Sequence, residues 1–210
     1  MKKLIVIFIK LFVTILDVSN MKFIRTEIPD VIIVEPQVHG DDRGYFVETF
    51  RQDKFEEFLG FKINFVQDNE SKSSKGVLRG LHYQLHPASQ TKLVRVIQGS
   101  VLDVAVDIRE GSPTFGQHVS VELNANNKRQ LFVPRGFAHG FLVLEDDTIF
   151  AYKVDNYYSP ENDRGMAFDD PVLNIDWKFS KEDLNLSDKD TKQPLIKDAE
   201  LFDYGTNLYE

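Results

Sequence analysis

The chain has 210 residues, which suits one domain with a full hydrophobic core. Its aromatic content of 12% argues against disorder, and its formal net charge of -8 argues against a nucleic-acid partner, which would need a basic face. The absence of Cys excludes a disulfide framework, a thiolate nucleophile and a Cys-based metal site, and it agrees with a reducing, cytoplasmic compartment.

The first 20 residues differ in pattern from the rest of the chain. An apolar run over residues 4–16 is interrupted by Lys10, so it is too short and too charged for a membrane span of about 20 apolar residues. We expect Met21 to be the true start and residues 1–20 to be a doubtful upstream extension, with a signal peptide or a membrane-touching helix as alternatives. Residues 21–210 are expected to form a single domain.

From Val31 onward the chain alternates apolar and polar residues in short runs broken by Gly, Pro, Asn and Asp. This period of two is typical of sandwiches and barrels. The predicted strands are 31–35, 45–51, 63–67, 78–84, 92–98, 101–109, 117–123, 130–133, 140–144 and 148–154. With one convincing short helix at 53–59, they indicate an all-β jelly roll with a few short helices.

The clearest alternation lies at 101–109. Apolar side chains share one face of this predicted strand, and three charged side chains, Asp103, Asp107 and Arg109, share the other. The pattern predicts a half-buried antiparallel strand.

The segment 76–92 resembles the first metal-binding strand of a cupin in which two ligands have been replaced. Gly76 and His82 fit that motif, but Gln84 takes the place of the second His and Lys92 that of the Glu. A second cupin-type motif, P-x-G-x-x-H, ends at His139, which we expect to lie in a loop. Two histidines beside a lysine make a poor metal site, so we expect no metal and no other cofactor.

Without a metal, His82 would be a neutral imidazole able to take a proton near neutral pH. An Asp on its far nitrogen would fix the tautomer, and Lys92 would stabilise a developing oxyanion. The residue pattern leaves three possible orienting carboxylates, Asp103, Asp107 and Asp190.

A second proton donor is needed if a carbon is to be reprotonated from the opposite face. The stretch AYKVDNYYSP offers three tyrosines, and the pattern does not choose between them. They are Tyr152, Tyr157 and Tyr158.

Seven stretches in order resemble the dTDP-4-dehydrorhamnose 3,5-epimerase family, from Met21 to about Leu195. They are DDRGYFVE, FVQDN, GVLRGLHYQ, QTKLVRVIQGSVLDVAVDIREGSPTFG, NNKRQLFVPRGFAHGF, AYKVDNYYSP and LSDKD. The resemblance implies a metal-free, cupin-like double-stranded β-helix (jelly roll), typically a homodimer, that epimerises a nucleotide-linked 4-keto-6-deoxy sugar. It also implies that His82 is the base, Tyr152 the acid, Asp190 the orienting partner of His82 and Lys92 the cation beside the enolate.

By the same resemblance, a further set of polar residues holds the deoxythymidine diphosphate part of the substrate. Arginine forks suit a diphosphate and amides suit a pyrimidine edge. The set is Arg43, Glu48, Gln67, Asp68, Asn69, Arg79, Lys92, His139 and Lys189, with Phe46 and Tyr157 as weaker candidates for stacking on the base.

Several alternatives stay open. Strict alternation puts Arg79 and His82 on opposite strand faces, so either Gly80 makes a bulge or Arg79 serves a neighbouring subunit. The same base and acid could serve an enzyme that inverts only C3 or only C5. A metal-dependent cupin enzyme and a non-catalytic sugar-nucleotide-binding jelly roll are the remaining function classes.

Overall fold

The computed structural model describes residues 15–18 and 21–210. The expectations about the start at Met21 and about a leader or membrane-touching helix concern mainly residues outside this described part. Within it, no helix is long and apolar enough to cross a membrane.

The described residues form mostly β-strands, with one α-helix and three short 3₁₀ turns. The helix is α1 (Gln52–Leu59), and the turns are Lys181–Asp183, Asp190–Lys192 and Ile196–Asp198. The strands are β1 (Ile15–Val18), β2 (Met21–Arg25), β3 (Ile32–Pro36), β4 (Val38–Asp41), β5 (Gly44–Val47), β6 (Gln67–Ser73), β7 (Leu78–Gln84), β8 (Lys92–Gln98), β9 (Ser100–Asp107), β10 (Arg109–Glu110), β11 (His118–Asn124), β12 (Gln130–Val133), β13 (Phe137–Val143), β14 (Thr148–Val154), β15 (Asp163–Gly165) and β16 (Phe202–Asp203).

Two antiparallel sheets form the body of the protein. The seven-stranded sheet has the order β1-β2-β3-β12-β8-β14-β6, and the five-stranded sheet has the order β11-β9-β13-β7-β15. Strands that are distant in sequence are neighbours in both sheets, as a jelly roll requires. The predicted all-β jelly roll with few short helices is confirmed.

The main core lies between the two sheets. Phe141 on β13 and Phe150 on β14 stack with ring centroids 4.0 Å apart, so this pair bridges the five-stranded and the seven-stranded sheet. Valines of β8, β9 and β13 surround the pair. Offset aromatic stacking adds about 0.5–1.5 kcal/mol to the burial of the rings.

Two further layers cover the outer faces of the sheets. On the seven-stranded sheet, Phe55 of helix α1 packs edge-on against Phe23, with centroids 5.1 Å apart, and the helix ends at Gly60 in a left-handed conformation. On the five-stranded sheet, the segment after β15 adds Trp177 and Phe202 to a second core cluster. The C-terminal part of the chain is therefore packed as a layer of the fold.

The strand prediction at 63–67 is wrong. The strand here is β6, which begins only at Gln67, whereas Ile63 is buried beneath helix α1 in an irregular connection. Its apolar alternation reflects packing against the helix, and the true strand, QDNESKS, is too polar to be predicted from β-propensity.

The prediction that 101–109 is a half-buried strand is also wrong. Strand β9 lies between β11 and β13, and all eight of its residues are buried. The carboxylates of Asp103 and Asp107 are completely enclosed because each has partners, His139 for Asp103 and Arg109 for Asp107. The charged face of β9 is thus internal, as buried charges with satisfied hydrogen bonds can be.

Asp107 holds the turn after β9. Its carboxylate accepts hydrogen bonds from the backbone and guanidinium of Arg109 and from the hydroxyls of Ser112 and Thr114, at 2.6 to 3.0 Å. Burial raises the pKa of Asp107, but these donors together outweigh it, and the net pKa lies below the ordinary value. Asp107 therefore has a structural role and is not the partner of His82.

We expect Asp107→Asn to lower the free energy of unfolding by about 2–4 kcal/mol, because an amide NH₂ would face donors that remain buried. The carboxylate stabilises above the ordinary Asp pKa and this contribution is lost as pH falls through the lowered folded pKa, so the deficit should shrink in acid. Urea denaturation measures it. The matched control is Asp176→Asn, since Asp176 is solvent-exposed beside Lys178 and should matter little. Equal stability of the two variants would contradict the assignment.

Candidate active site

Two cavities meet between the sheets. The first, of about 440 Å³, is lined by both sheets and by Asn185, Leu186, Ser187 and Asp190. The second, of about 430 Å³, opens beside β6 and β15. Three residues line both cavities: His82, Lys92 and Tyr152. The chemistry predicted for these three side chains would therefore take place where the cavities join.

His82 lies on β7, and its imidazole Nε2 is 2.6 Å from Asp190 Oδ1. Asp190 is 4% exposed, and Ser187 donates to its other oxygen at 2.7 Å. Burial raises the pKa of Asp190, but the hydrogen bonds from His82 and Ser187 outweigh it and leave the net pKa below the ordinary value. An ionised Asp190 accepts the Nε2 proton of His82, which leaves Nδ1 as the basic nitrogen.

A β-bulge brings Arg79 to the same cavity. Where β7 pairs with β13, Gly80 and Leu81 stand opposite Gly140 alone. Gly80 has φ +115, and a Cβ on it would lie 2.6 Å from Gly140 Cα, so only glycine fits. Arg79 and His82 of one chain consequently line the first cavity together. Of the two alternatives, the bulge is the one the structure contains.

Lys92 opens strand β8, opposite His82. Its Nζ is 3.4 Å from the His82 backbone oxygen. Burial lowers the pKa of Lys92 to about 8, while Asp103 and Asp163 partly oppose this shift. An ammonium with this pKa is charged at neutral pH and loses its proton in mild alkali.

Tyr152 lies on the seven-stranded sheet, as Lys92 does, and so faces His82 from the opposite sheet. It lies on β14, and its hydroxyl makes no hydrogen bond to any residue that the structure describes. Burial raises the pKa of Tyr152, and Arg79 only partly offsets this effect. The phenol therefore stays protonated at neutral pH and is free to donate to a bound molecule.

His139 and Asp103 form a second buried pair. His139 Nε2 lies 2.9 Å from Asp103 Oδ1, and both residues are buried. Burial lowers the pKa of His139, which favours a neutral imidazole despite the carboxylate. The expectation of a loop is wrong, because His139 lies within β13 as the direct cross-strand partner of His82.

The cupin-type ligand positions are occupied in a way that does not suit a metal. His82 and His139 are each bonded to a separate carboxylate, and the amide of Gln84 bonds to backbone groups. Among residues 15–18 and 21–210, no group of three or more His, Cys, Asp or Glu side chains could hold a metal ion. The absence of a metal requirement stays a prediction.

Besides Lys92, the second cavity contains three residues predicted to bind substrate, Gln67, Asn69 and Lys189. Gln67 Nε2 donates to Asn69 Oδ1 at 2.8 Å, and Lys189 is ion-paired with Asp163. The sequence prediction missed Asp163. It named Tyr158 only as a possible proton donor, whereas in the structure its hydroxyl donates to Asp163 at 3.1 Å in the second cavity. The sequence carries no signal for this contact, because the β14–β15 connection brings the two residues together.

Ser187 is a further residue that the sequence prediction missed. Its hydroxyl donates to Asp190 Oδ2 at 2.7 Å and accepts a hydrogen bond from the Asp190 backbone N–H at 3.2 Å. The Ser-x-x-Asp spacing in LSDKD is the local pattern that could have revealed it.

Five other predicted residues line neither cavity: Arg43, Phe46, Glu48, Asp68 and Tyr157. Arg43 and Phe46 lie on the β4–β5 hairpin, where the Arg43 side chain is 90% exposed and is ion-paired with Asp41. Asp68 is paired with Lys153 instead, at 2.9 Å. Tyr157 is an exposed neighbour of Tyr158, the tyrosine that does reach the second cavity.

A sequence model of the dTDP-4-dehydrorhamnose 3,5-epimerase family matches residues 25–198. The dTDP-4-dehydrorhamnose 3,5-epimerase of Shigella flexneri is 57% identical over 182 residues, covering 87% of this chain and 99% of the relative. The dTDP-6-deoxy-D-glucose-3,5-epimerase of Legionella pneumophila, solved with dTDP-4-keto-L-rhamnose, has a TM-score of 0.85 at 49% identity and covers 89% of this chain and 100% of its own. A 3'-monoepimerase from Streptomyces bikiniensis, solved with dTDP-quinovose, has a TM-score of 0.76 at 34% identity, covering 82% and 86%. With its site geometry and these similarities, the chain belongs to the dTDP-4-dehydrorhamnose 3,5-epimerase family.

Proposed function

We propose that this protein inverts C3 and C5 of dTDP-4-dehydro-6-deoxy-D-glucose to give dTDP-4-dehydro-L-rhamnose. The observation that carries the proposal is the arrangement at the cavity junction: His82 with Asp190 on one sheet, and Tyr152 with a free hydroxyl on the other. Inversion at a carbon requires a base on one face of the sugar and an acid on the opposite face. Membership of the epimerase family supports the same reaction.

Each inversion proceeds through an enolate. His82 Nδ1 removes the proton from C3 or C5, and the C–H electrons move into the C4 carbonyl to place a negative charge on O4. Lys92 stabilises that oxyanion, and Tyr152 then donates its proton to the opposite face of the carbon. The cycle leaves an imidazolium and a phenolate, which solvent returns to their starting states. Positioned acid–base groups contribute about 10²–10⁴ in rate, and the oxyanion contact a comparable factor.

The two cavities suit the two parts of the substrate. We assign the sugar to the first cavity, where His139 and Phe141 complete the wall beside the catalytic candidates. The second cavity, with the amides of Gln67 and Asn69 and the ammonium of Lys189, suits the nucleotide. Arg79 supplies a further cation at the first cavity for the diphosphate.

A second candidate is inversion at one carbon only. The solved Streptomyces bikiniensis relative is named a 3'-monoepimerase and shares the fold at 34% identity. The same base, acid and cation could serve either reaction, because the choice depends on how the ring can reposition in the first cavity.

Deuterium incorporation distinguishes these candidates. We expect turnover of dTDP-4-dehydro-6-deoxyglucose in D₂O, trapped by an NADPH-dependent 4-keto reductase, to give product with deuterium at both C3 and C5. The physical reason is that Tyr152 delivers a solvent-exchanged proton at every inversion. Deuterium at one carbon alone would indicate the single-carbon enzyme, and binding without any exchange would indicate a non-catalytic binding protein.

Two variants are the controls for this assay. His82→Ala should abolish both exchange and inversion, since no base remains, with a loss of about 10²–10⁴ in rate. Tyr152→Phe keeps the base, so it should still exchange protons from one face while inversion is lost. Unchanged activity in both variants contradicts the residue roles. Activity that is lost on chelation and restored by a divalent metal contradicts the metal-free mechanism.

The Lys92 pKa of about 8 predicts an alkaline limb in kcat/KM. Below this pH the ammonium stabilises the enolate; above it the neutral amine cannot, so kcat/KM should fall about tenfold per pH unit. Tyr152 has a raised pKa and does not titrate near 8. In Lys92→Arg the guanidinium stays charged, so the limb should disappear, whereas Lys92→Met should be severely impaired at every pH. A flat wild-type profile between pH 7 and 10 contradicts the role of Lys92.

We further propose that the protein works as a homodimer in which the β4–β5 hairpin of one copy completes the site of the other. Tyr45 and Phe46 expose 61% and 70% of their surfaces on this hairpin, which is unusual for adjacent large aromatic side chains. Arg43, expected from the family resemblance to bind the diphosphate, lines neither cavity of its own chain. A contact with the neighbouring copy reconciles these observations.

Mixing two inactive variants tests this arrangement. Arg43→Ala and His82→Ala should each be impaired alone. After subunit exchange, about half of the dimers are mixed, and each mixed dimer has one site with both His82 and a partner's Arg43, so about a quarter of wild-type activity should return. No recovery, or a monomer by sedimentation, contradicts the shared site.

The remaining expectations accompany this proposal. We propose that residues 21–210 act as a single catalytic domain, that no cofactor is required and that the enzyme is cytoplasmic. The lack of Cys agrees with a reducing compartment.

A further inference from the structure

The side chain of Gln84 links two loops at the edge of the second cavity. Gln84 ends β7 and is 4% exposed. Its Nε2 donates to the backbone oxygens of Ala88 at 2.7 Å and Tyr157 at 3.2 Å, and its Oε1 accepts from the backbone N–H of Ser159 at 2.8 Å. Both ends of the amide are thus used, which neither a histidine nor a carboxylate could reproduce.

The two linked loops are the β7–β8 connection and the β14–β15 connection. Three other side-chain contacts join them: Asn156 to the Pro87 oxygen at 2.9 Å, Gln90 to the Asn156 oxygen at 2.8 Å and the Thr91 N–H to Asp155 at 2.6 Å. Two backbone hydrogen bonds, from Asp155 to Thr91 and from Leu85 to Asn162, add to them. Gln84 belongs to strand β7 of the five-stranded sheet. Its hydrogen bonds therefore connect both loops to the strand that carries His82.

Tyr158 lies between the two backbone groups that Gln84 holds in the β14–β15 connection. The carbonyl of Tyr157 and the N–H of Ser159 flank it on either side. The Tyr158 ring is 58% exposed, lines the second cavity, and bonds to Asp163, which in turn pairs with Lys189. Fixing the backbone on both sides of an exposed aromatic residue limits where its ring can lie.

We propose that Gln84 is a positioning residue for the nucleotide part of the substrate: its amide sets the place of Tyr158 and, through Asp163, of Lys189. The inference rests on the proposed function, because it takes the second cavity as the nucleotide site. Gln84 itself is not a ligand, since its amide is buried and its donor and acceptor atoms are already bonded to backbone. Gln84 occupies the position of a metal-binding histidine in the cupin motif. In the proposal, its role is instead to position the wall of the nucleotide site.

Replacing Gln84 by Met, which is similar in length but forms no comparable hydrogen bonds, tests the proposal. We expect the Kd for dTDP, measured by calorimetry, and the KM for the dTDP-sugar to rise about tenfold, equivalent to about 1.4 kcal/mol. The value of kcat should change much less, because within the described part of the chain neither His82 nor Tyr152 is hydrogen-bonded to either loop. A loss confined to kcat would overturn the proposal.

Two further variants make the test specific. Gln84→Glu keeps an acceptor for Ser159 but sets an oxygen against the carbonyls of Ala88 and Tyr157, so its dTDP affinity should also fall. In a Tyr158→Ala background, Gln84→Met should cause little additional loss, because the residue through which Gln84 acts is gone. An equal loss in both backgrounds would overturn the proposal.

Asp107→Asn controls for stability, since it weakens the fold away from both cavities and should leave dTDP affinity unchanged. The outcomes also separate this inference from the proposed function. A wild-type protein that neither binds dTDP nor exchanges deuterium contradicts the function itself. A wild-type protein that does both, with Gln84 variants that bind dTDP normally, contradicts only the role of Gln84.

Discussion

The hydrogen bond between His82 and Asp190 is the interaction on which the site depends. It joins His82 of β7 to Asp190, which begins the 3₁₀ turn Asp190–Lys192 in the C-terminal layer. The distance from Nε2 to Oδ1 is 2.6 Å. Asp190 is almost fully buried, so without the imidazole and the Ser187 hydroxyl its charge would be uncompensated. The same bond orients His82 and holds the segment of Asn185, Leu186, Ser187 and Asp190 as a wall of the first cavity. In the proposed mechanism, stability and chemistry therefore share one contact, and the C-terminal layer contributes to the site.

The jelly roll distributes the chemical roles between its two sheets. The five-stranded sheet carries His82, His139 and Asp103, whereas the seven-stranded sheet carries Lys92 and Tyr152. In the proposed mechanism, a substrate held between the sheets would meet the base on one side and the acid on the other. The two histidines that a cupin metal site would share are here bonded to separate carboxylates, His82 to Asp190 and His139 to Asp103. The separate carboxylate partners of the two histidines are consistent with Lys92 in the position of the glutamate ligand of the cupin motif.

The sequence allowed most of the strand pattern and the helix to be predicted, because alternation is a local property. It also singled out His82, Lys92, Tyr152 and Asp190, which the structure brings to one cavity; their chemical roles stay predictions. It did not allow the environment of β9 to be predicted, since burial of Asp103 and Asp107 depends on partners supplied by other segments. The bulge at Gly80 was one of two possibilities until the pairing of β7 with β13 was known. The second cavity depends on contacts between loops, such as Tyr158 with Asp163, that leave no periodic trace. The failures thus fall where tertiary contacts override local pattern.

The stacked pair of Phe141 and Phe150 has a consequence for how this enzyme could change. The rings belong to opposite sheets, touch at a centroid separation of 4.0 Å and also line the first cavity. They act as a spacer, so the thickness of the barrel at this point helps to set the distance between His82 on one sheet and Tyr152 on the other. Because a packed interior does not deform smoothly, a smaller or larger side chain here would reset that separation in a step. Core volume, normally a matter of folding alone, becomes in this protein a variable on which selection for sugar shape and stereochemical outcome can act.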